Sequence, residues 1–453
     1  MKSGFHEPEN FGSIVFKDKN LSIKEARSIS MRRKNETKSI YLRKKISANL
    51  KTLSKFEKDL PILQTEINSF LKDYKKIKNK FSMWEKLSIE EMELLLKESE
   101  KLISTIERIR IFGDDQIDVE VGEPFVISSS TGRHWFPTLK QLSQQQLFVS
   151  IWCSADEINP AVAKTAFCWT GDGGATWEPP VTQEDAGHSW IRLKNGTSLW
   201  LSYHITYRDE SACACRLGRS DDGKRYRWSE GTVNFAPHKI KRWKHGAGSL
   251  VFSRSILERP DGSLLTTMYG QLAGDKRARS ILVRSTDQGS TWRYFSTMAY
   301  EPDLDLNEPC LAELGNGELF CIMRNKSGKP MYRVRSSDGG ESWTKPIRMP
   351  RYAASVFPDL TLMSNGVLAC SFGRPGCHLM FSVDGKGERW TSRTTVFEGP
   401  STCYTAIREV APGRLLYIHD VVPAGWSELK PGQANEIRGL FVTVKRKGKP
   451  TQE

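Results

Sequence analysis

Leu306–Asn325 reads LNEPCLAELGNGELFCIMRN, and it sets the grammar of most of the chain. Two apolar runs, LAEL and ELFCIM, flank an Asn-Gly pair. That is the short-range signature of a β-hairpin, because Asn and Gly tolerate the positive φ of a tight turn. Pairing the runs brings Glu308, nine residues before Gly317, and Arg324, seven after it, to the open end of the hairpin. The pattern recurs as LKNGTSL (Leu193–Leu199), ERPDGSL (Glu258–Leu264), LMSNGVL (Leu362–Leu368) and EVAPGRL (Glu409–Leu415). A weaker copy, KQLSQQQL (Lys140–Leu147), has Gln where the turn glycine would stand.

A second repeat lies between the hairpins. It reads TGDGGATW (Thr170–Trp177), STDQGSTW (Ser285–Trp292) and SSDGGESW (Ser336–Trp343), with degenerate copies SDDGKRYRW (Ser220–Trp228) and SVDGKGERW (Ser382–Trp390). The Asp accepts hydrogen bonds within its own turn, the Gly permits positive φ, and the Trp fills the gap beneath. Such a unit is structural rather than catalytic or calcium-binding. Six hairpins in roughly 330 residues leave each unit enough chain for four short strands, so the expected fold is an all-β six-bladed β-propeller.

The rest of the chain divides around that repeat. Residues 1–36 are polar and read as a flexible lead-in, residues 113–447 as the propeller and 448–453 as a tail. From 37 to 112 glycine is absent until Gly113, and Lys, Glu, Leu and Ile dominate. Ser88-Ile-Glu-Glu has the form of a helix N-cap, and Met92, Leu95, Leu96, Leu102, Ile103, Ile106 and Ile109 follow at helical spacing. Pro61 separates earlier helical segments. The expectation is a basic helical hairpin or coiled coil suited to self-association.

Charge and cysteine usage narrow the function classes. The net charge is +14, and residues 1–110 hold 25 Lys/Arg against 16 Asp/Glu. A solvated basic helical face is the simpler reading of this excess than a nucleic-acid surface. No apolar run approaches the roughly 18 residues of a membrane span. The nine cysteines lie between Cys153 and Cys403 without metal-ligand spacing, and read as free thiols. With no signal-peptide pattern at the start, the expected location is cytoplasmic. No cofactor or metal is implied.

The second repeat resembles the Asp box of the sialidase-like propellers, and the likeness covers roughly residues 120–447. Members of that superfamily include enzymes, lectins and receptors, so function is argued from the site. Aligned on their turns, Glu308 and Tyr404 each lie nine residues before the turn glycine, Gly317 and Gly413. Arg324 and Arg374 close the partner strands. All four are therefore expected at one mouth of the propeller, with Trp152, Tyr203, Tyr269 and Asp420 at matching places.

The resemblance implies a tyrosine nucleophile, an exception to the two-carboxylate pattern of glycosidases. A neighbouring glutamate takes its proton, since a phenol with pKa near 10 is a poor nucleophile unaided. Arginines clamp a substrate carboxylate. On this pattern Tyr404 is the nucleophile, Glu308 its base, and Arg324 and Arg374 two arginines of the clamp. Asp156, in CSADEINP, is the acid/base, with Asp185 behind it. The superfamily's Arg-Ile-Pro is replaced by Arg133-His134-Trp135-Phe136-Pro137, with Trp135 at the arginine's place. Arg133 and Arg254 are the candidates to substitute. The expected function is a sialidase-type exo-glycosidase acting with retention on a terminal acidic sugar of a glycan. The alternative is a non-catalytic carbohydrate-binding propeller.

Overall fold

Every expected hairpin forms. In the computed structural model, which describes residues 23–58, 64–110, 116–156, 163–184, 188–326, 328–354, 356–426 and 428–447, Asn307–Glu313 pairs antiparallel with Leu319–Arg324, with Asn307 opposite Arg324. Its turn closes as the residue types predict. Leu314 N donates to Glu318 O at 2.9 Å, Gly317 adopts φ +83°, and Asn316 Oδ1 accepts from Glu318 N at 3.2 Å. The other five pairs are Trp135–Gln141 with Leu147–Trp152, Ser189–Arg192 with Ser198–Leu201, Ala247–Glu258 with Leu264–Gly270, Asp359–Leu362 with Leu368–Gly373, and Ala406–Ala411 with Arg414–Val421.

Further strands extend these hairpins into five sheets: three of four strands, one of nine and one of five. The nine-stranded sheet joins two hairpin units, partly through a parallel pairing of Arg227–Asn234 with Thr291–Ala299. In the five-stranded sheet, Ile117–Val121 pairs with Asn435–Arg446, so the first strand of this unit is stitched to the last. The six leading strands neighbour one another in sequence order, and Ala406–Ala411 returns to Trp135–Gln141, which closes the ring. The core between the sheets is apolar and tightly buried, with Leu199, Phe252, Phe320, Leu368 and Leu416 among its members. The nine cysteines are free thiols, and all but Cys153 are buried.

The Asp repeats act as internal staples. Thr170, Ser285 and Ser336 donate from their hydroxyls to Asp172, Asp287 and Asp338 at 2.7, 2.8 and 2.7 Å. Those carboxylates also accept the backbone N–H four residues on, at 2.8–3.0 Å. Trp292 is completely buried and its indole N–H donates to Gly289 O at 3.0 Å. The degenerate copies keep the same Ser-to-Asp bond, Ser220 to Asp222 and Ser382 to Asp384, each at 2.8 Å.

The chain divides at Ile109/Arg110 into two compact units. The first is helical: α1 (Ile23–Lys58), α2 (Gln64–Ser82) and α3 (Ile89–Arg110). Helix α1 begins inside the stretch expected to be a flexible lead-in, because Ile23 onward has neither Gly nor Pro and is rich in strong helix formers. The break between α1 and α2 brackets Pro61, which itself lies outside the described residues, as do residues 1–22 and the tail 448–453. Ser88 and Glu91 make a reciprocal capping box before α3, with Ser88 N to Glu91 Oε2 at 2.9 Å and Glu91 N to Ser88 Oγ at 3.2 Å. Leu42, Ile46, Tyr74, Ile77, Met92, Leu95 and Leu102 form the helical core. No described helix is long and apolar enough to cross a membrane.

Candidate active site

Glu308 is the hub of the site. It is 5 % exposed and accepts three hydrogen bonds. The Tyr404 hydroxyl donates to its Oε1 at 2.5 Å, Arg324 Nη1 donates to the same oxygen at 2.7 Å, and Phe357 N donates to Oε2 at 3.0 Å. The equivalence of Glu308 and Tyr404 along their hairpins therefore becomes direct contact across the ring. Arg374 Nη2 donates to Thr402 O at 2.7 Å. Its guanidinium lies 5.8 Å from the Tyr404 ring centroid and 4.4 Å from that of Trp426.

The backbone at this end is unusual. Phe136, Glu308, Phe357, Arg374 and Cys403 all have positive φ, from 34° to 68°. Bulky residues rarely adopt that region, and clustered strain of this kind marks functional sites. The pairing register also shifts between Trp135 and Thr138 and between Asn307 and Cys310. Each bulge re-aims the first residues of a leading strand toward the open end.

Aromatic rings complete the setting of Tyr404. Phe357 stacks on it at 17° with centroids 5.1 Å apart, and Phe136 meets it edge-on at 4.7 Å. Burial, reinforced by the Glu308 charge, holds the Tyr404 hydroxyl well above the usual phenol pKa, so it rests as a protonated donor. Tyr203 and Tyr269 share a short hydroxyl–hydroxyl hydrogen bond, and burial raises both their pKa values. The pocket encloses about 120 Å³. Trp152, Asp156, His188, Tyr203, Tyr269 and Tyr404 are among its walls.

The other expected residues divide between the pocket lining and its surroundings. Asp156 is exposed and lines the pocket's rim; Asp185 lies outside the described residues. Arg254, one candidate for the missing arginine, is 2 % exposed and sits beneath Phe357, its guanidinium 4.3 Å from that ring. It pairs with Asp359 at 3.3 Å and donates to Thr405 O at 2.6 Å. The buried Asp359 charge draws it under the floor instead of into the pocket. Arg133, the other candidate, is exposed before the Trp135 strand and does not line the pocket. Trp135 itself is buried. Of the four expected arginines, Arg324 pairs with Glu308 and Arg374 with the Thr402 carbonyl, while Arg133 and Arg254 reach neither.

Asp420 is a brace rather than a wall. Fully buried, it accepts from Ser401 Oγ at 2.7 Å, Thr402 N at 2.8 Å, Thr402 Oγ1 at 2.5 Å and Phe136 N at 3.0 Å. It ties the turn before Tyr404 to the Phe136 bulge; burial raises its pKa against those bonds. The sequence reading missed Phe136, Phe357, His188 and His204 as site residues. Phe357 was accessible in principle: it lies nine residues before Gly366, the same offset as Glu308 and Tyr404.

Comparison with known proteins agrees with this architecture. Residues 191–413 match the BNR repeat-like domain family. No curated protein matches the sequence. Among solved structures, a protein of unknown function from Dyadobacter fermentans superposes with a TM-score of 0.57 at 16% identity, covering 72% of this chain and 99% of that one. An alpha-L-arabinanase of Penicillium chrysogenum, complexed with arabinobiose, gives 0.52 at 18% identity over 72% and 98%. A Hadza microbial sialidase gives 0.50 at 17% identity over 69% and 66%. At these identities the likeness is one of fold. The chain thus shares the fold of these propeller glycosidases, and its central stretch, residues 191–413, is similar to the BNR repeat-like domain.

Proposed function

We propose that the chain is a six-bladed propeller glycoside hydrolase that removes a terminal acidic sugar with retention of configuration. The observation that carries this is the shared oxygen: Glu308 Oε1 accepts from both Tyr404 and Arg324. In the first step the Tyr404 oxygen attacks the anomeric carbon while its proton passes to Glu308. The glycosidic bond breaks, and Asp156 protonates the departing oxygen. In the second step Asp156 deprotonates a water that attacks the anomeric carbon. The bond to Tyr404 breaks and Glu308 returns the proton to the phenol. Holding the phenol protonated at rest keeps the nucleophile quiet until substrate arrives, and transfer to a hydrogen-bonded base then raises its reactivity. Arg324 and Arg374 face the substrate carboxylate in this scheme.

The test is hydrolysis of a panel of aryl glycosides comprising neuraminide, glucuronide, α-L-arabinofuranoside and β-galactoside, with the product anomer read by NMR. Cleavage of an acidic member with retention, abolished in Tyr404→Phe, supports the reading. Cleavage of only the neutral members, or inversion, refutes it. A second reading, a non-catalytic carbohydrate-binding propeller, is favoured by the aromatic wall in place of a third arginine. Saccharide binding without turnover, unchanged in Tyr404→Phe, selects it. The helical unit carries the proposed self-association, on the exposed apolar residues Ile40, Tyr41 and Leu94. A concentration-independent monomer in sedimentation velocity would exclude that.

A further inference from the structure

A second, larger groove of about 590 Å³ adjoins the pocket. The two share Asp156, Tyr203, His204 and Tyr269 as a common wall. Tyr404 lines only the smaller, and the groove's own surface comes from Trp243, Lys244 and His245 and from Lys276, Arg277 and their neighbours.

The segment 238–245 reads HKIKRWKH; of its four Lys/Arg, Lys244 lines the groove, while Lys239 pairs with Glu210 at 2.5 Å. At its tip Trp243 is 51 % exposed, far more than a packed indole. The ring is nonetheless held in place. The main-chain N–H of Trp243 donates to Ala247 O at 2.6 Å, and the indole stacks on His204 at 22° with centroids 6.3 Å apart. His245 beside it has φ +53°. Lys244 sits 5.7 Å from the Trp243 ring centroid, and Lys276 and Arg277 also line the groove, Arg277 lying 3.7 Å from the carboxylate of Asp305. An exposed aromatic plate with Lys244 beside it and Lys276 and Arg277 along the same groove, opening from a sugar-sized pocket, calls for a particular ligand.

We infer that this groove binds an anionic saccharide chain, the leaving-group side of the proposed substrate, with one sugar ring on Trp243 and its carboxylates or sulfates on Lys244, Lys276 and Arg277. The inference rests on the glycosidase reading for the direction of the chain, since Asp156 stands at the junction where the scissile bond would pass. The apolar face of a pyranose covers an indole, and cations flanking it favour acidic substituents. The groove also holds Asp305 and Asp156. Both carboxylates can accept from sugar hydroxyls, which a DNA phosphodiester backbone lacks, and Asp305 is itself paired with Arg277. A single exposed ring likewise differs from the serial stacking platforms of single-stranded nucleic-acid sites.

The experiment is calorimetric titration of the full chain with three hexasaccharides: hyaluronan-derived, heparin-derived and chitohexaose. At least one acidic hexasaccharide should bind about tenfold or more tighter than chitohexaose, a gap of the size one ring contact and one or two ion pairs supply. Trp243→Ala should weaken it by about tenfold. Lys276→Ala with Arg277→Ala should weaken it similarly and flatten its salt dependence. All three side chains are at the surface, so unchanged melting temperatures will confirm folding. Equal binding of chitohexaose, or affinity unmoved in both groove variants, overturns the inference, as does tighter binding of a dT12 oligonucleotide. Groove binding as expected with no glycoside cleaved removes the catalytic reading alone; turnover with no acidic preference removes this one alone.

Discussion

Glu308→Gln isolates the group on which the site converges. The substitution keeps the size of the side chain and removes its charge. The Oε1 position now accepts hydrogen bonds from both Tyr404 and Arg324, and Oε2 accepts from Phe357 N. An amide offers one acceptor oxygen and turns an NH2 toward a donor on the other side. Arg324, whose side chain is 17 % exposed, loses its carboxylate partner. Breaking a fully buried ion pair costs about 3–5 kcal/mol, and the partial exposure of Arg324 lowers this to about 2–4 kcal/mol. One kcal/mol shifts Tm by about 2–4 °C at 150–250 residues and less in a larger unit, so the expected drop is about 3–6 °C. The catalytic loss should be much larger. Removing a general base lowers kcat/KM by about 10²–10⁴. The assay is kcat/KM on whichever glycoside of the panel the wild type cleaves, alongside Tm by calorimetry. A variant that melts near wild type and retains activity within about threefold would refute the assignment of Glu308 as base.

Asp420→Asn should loosen the turn carrying Tyr404, because Asp420 accepts from Ser401, Thr402 and Phe136 together; a loss of about 2 kcal/mol is expected, with kcat falling more than KM rises, and unchanged kinetics would contradict a bracing role. Trp292→Ala should cost about 3–5 kcal/mol through the cavity it leaves beneath its Asp turn, and a chemical-denaturation midpoint equal to wild type would show that the repeat is not a staple. Stability should also fall in mild acid. Burial depresses the pKa of His134 and His419 from 6.5 to about 4, so the unfolded chain binds more protons between those values and stability is lost as pH drops through that window. Each residue is worth up to about 3 kcal/mol at the acid end. Below it, Asp172 and Asp222, lowered to about 2 by the hydrogen bonds of their own turns, lose their stabilising contribution as pH falls from about 4 toward 2. Urea unfolding at pH 7.5, 5.5 and 4.5 measures the histidine term, and a flat profile would refute it.

The sequence by itself determined the units. Asn316-Gly317 and its counterparts must turn, Ser-x-Asp-x-Gly followed by Trp must close on itself, and alternating apolar residues must pair on either side. Those are local requirements of φ, of short-range hydrogen bonding and of a two-residue side-chain period, so they can be read from one strand at a time. Counting from the turn glycines likewise placed Glu308 and Tyr404 at equivalent strand starts. What only the tertiary structure decided is how side chains from different hairpins share the space at the ring's open end. Arg254 follows the same local grammar as its neighbours, yet the buried charge of Asp359, on another hairpin, pulls it below Phe357. Phe136 and Phe357 close around Tyr404 because their backbones take positive φ at register shifts and tight approaches that no residue pattern announces. Asp420 faces the turn it braces only because Arg414–Val421 is stitched into the closing sheet. Such contacts depend on closure of the ring, a long-range constraint that brings together residues hundreds of positions apart, and so they stay invisible until the chain has folded.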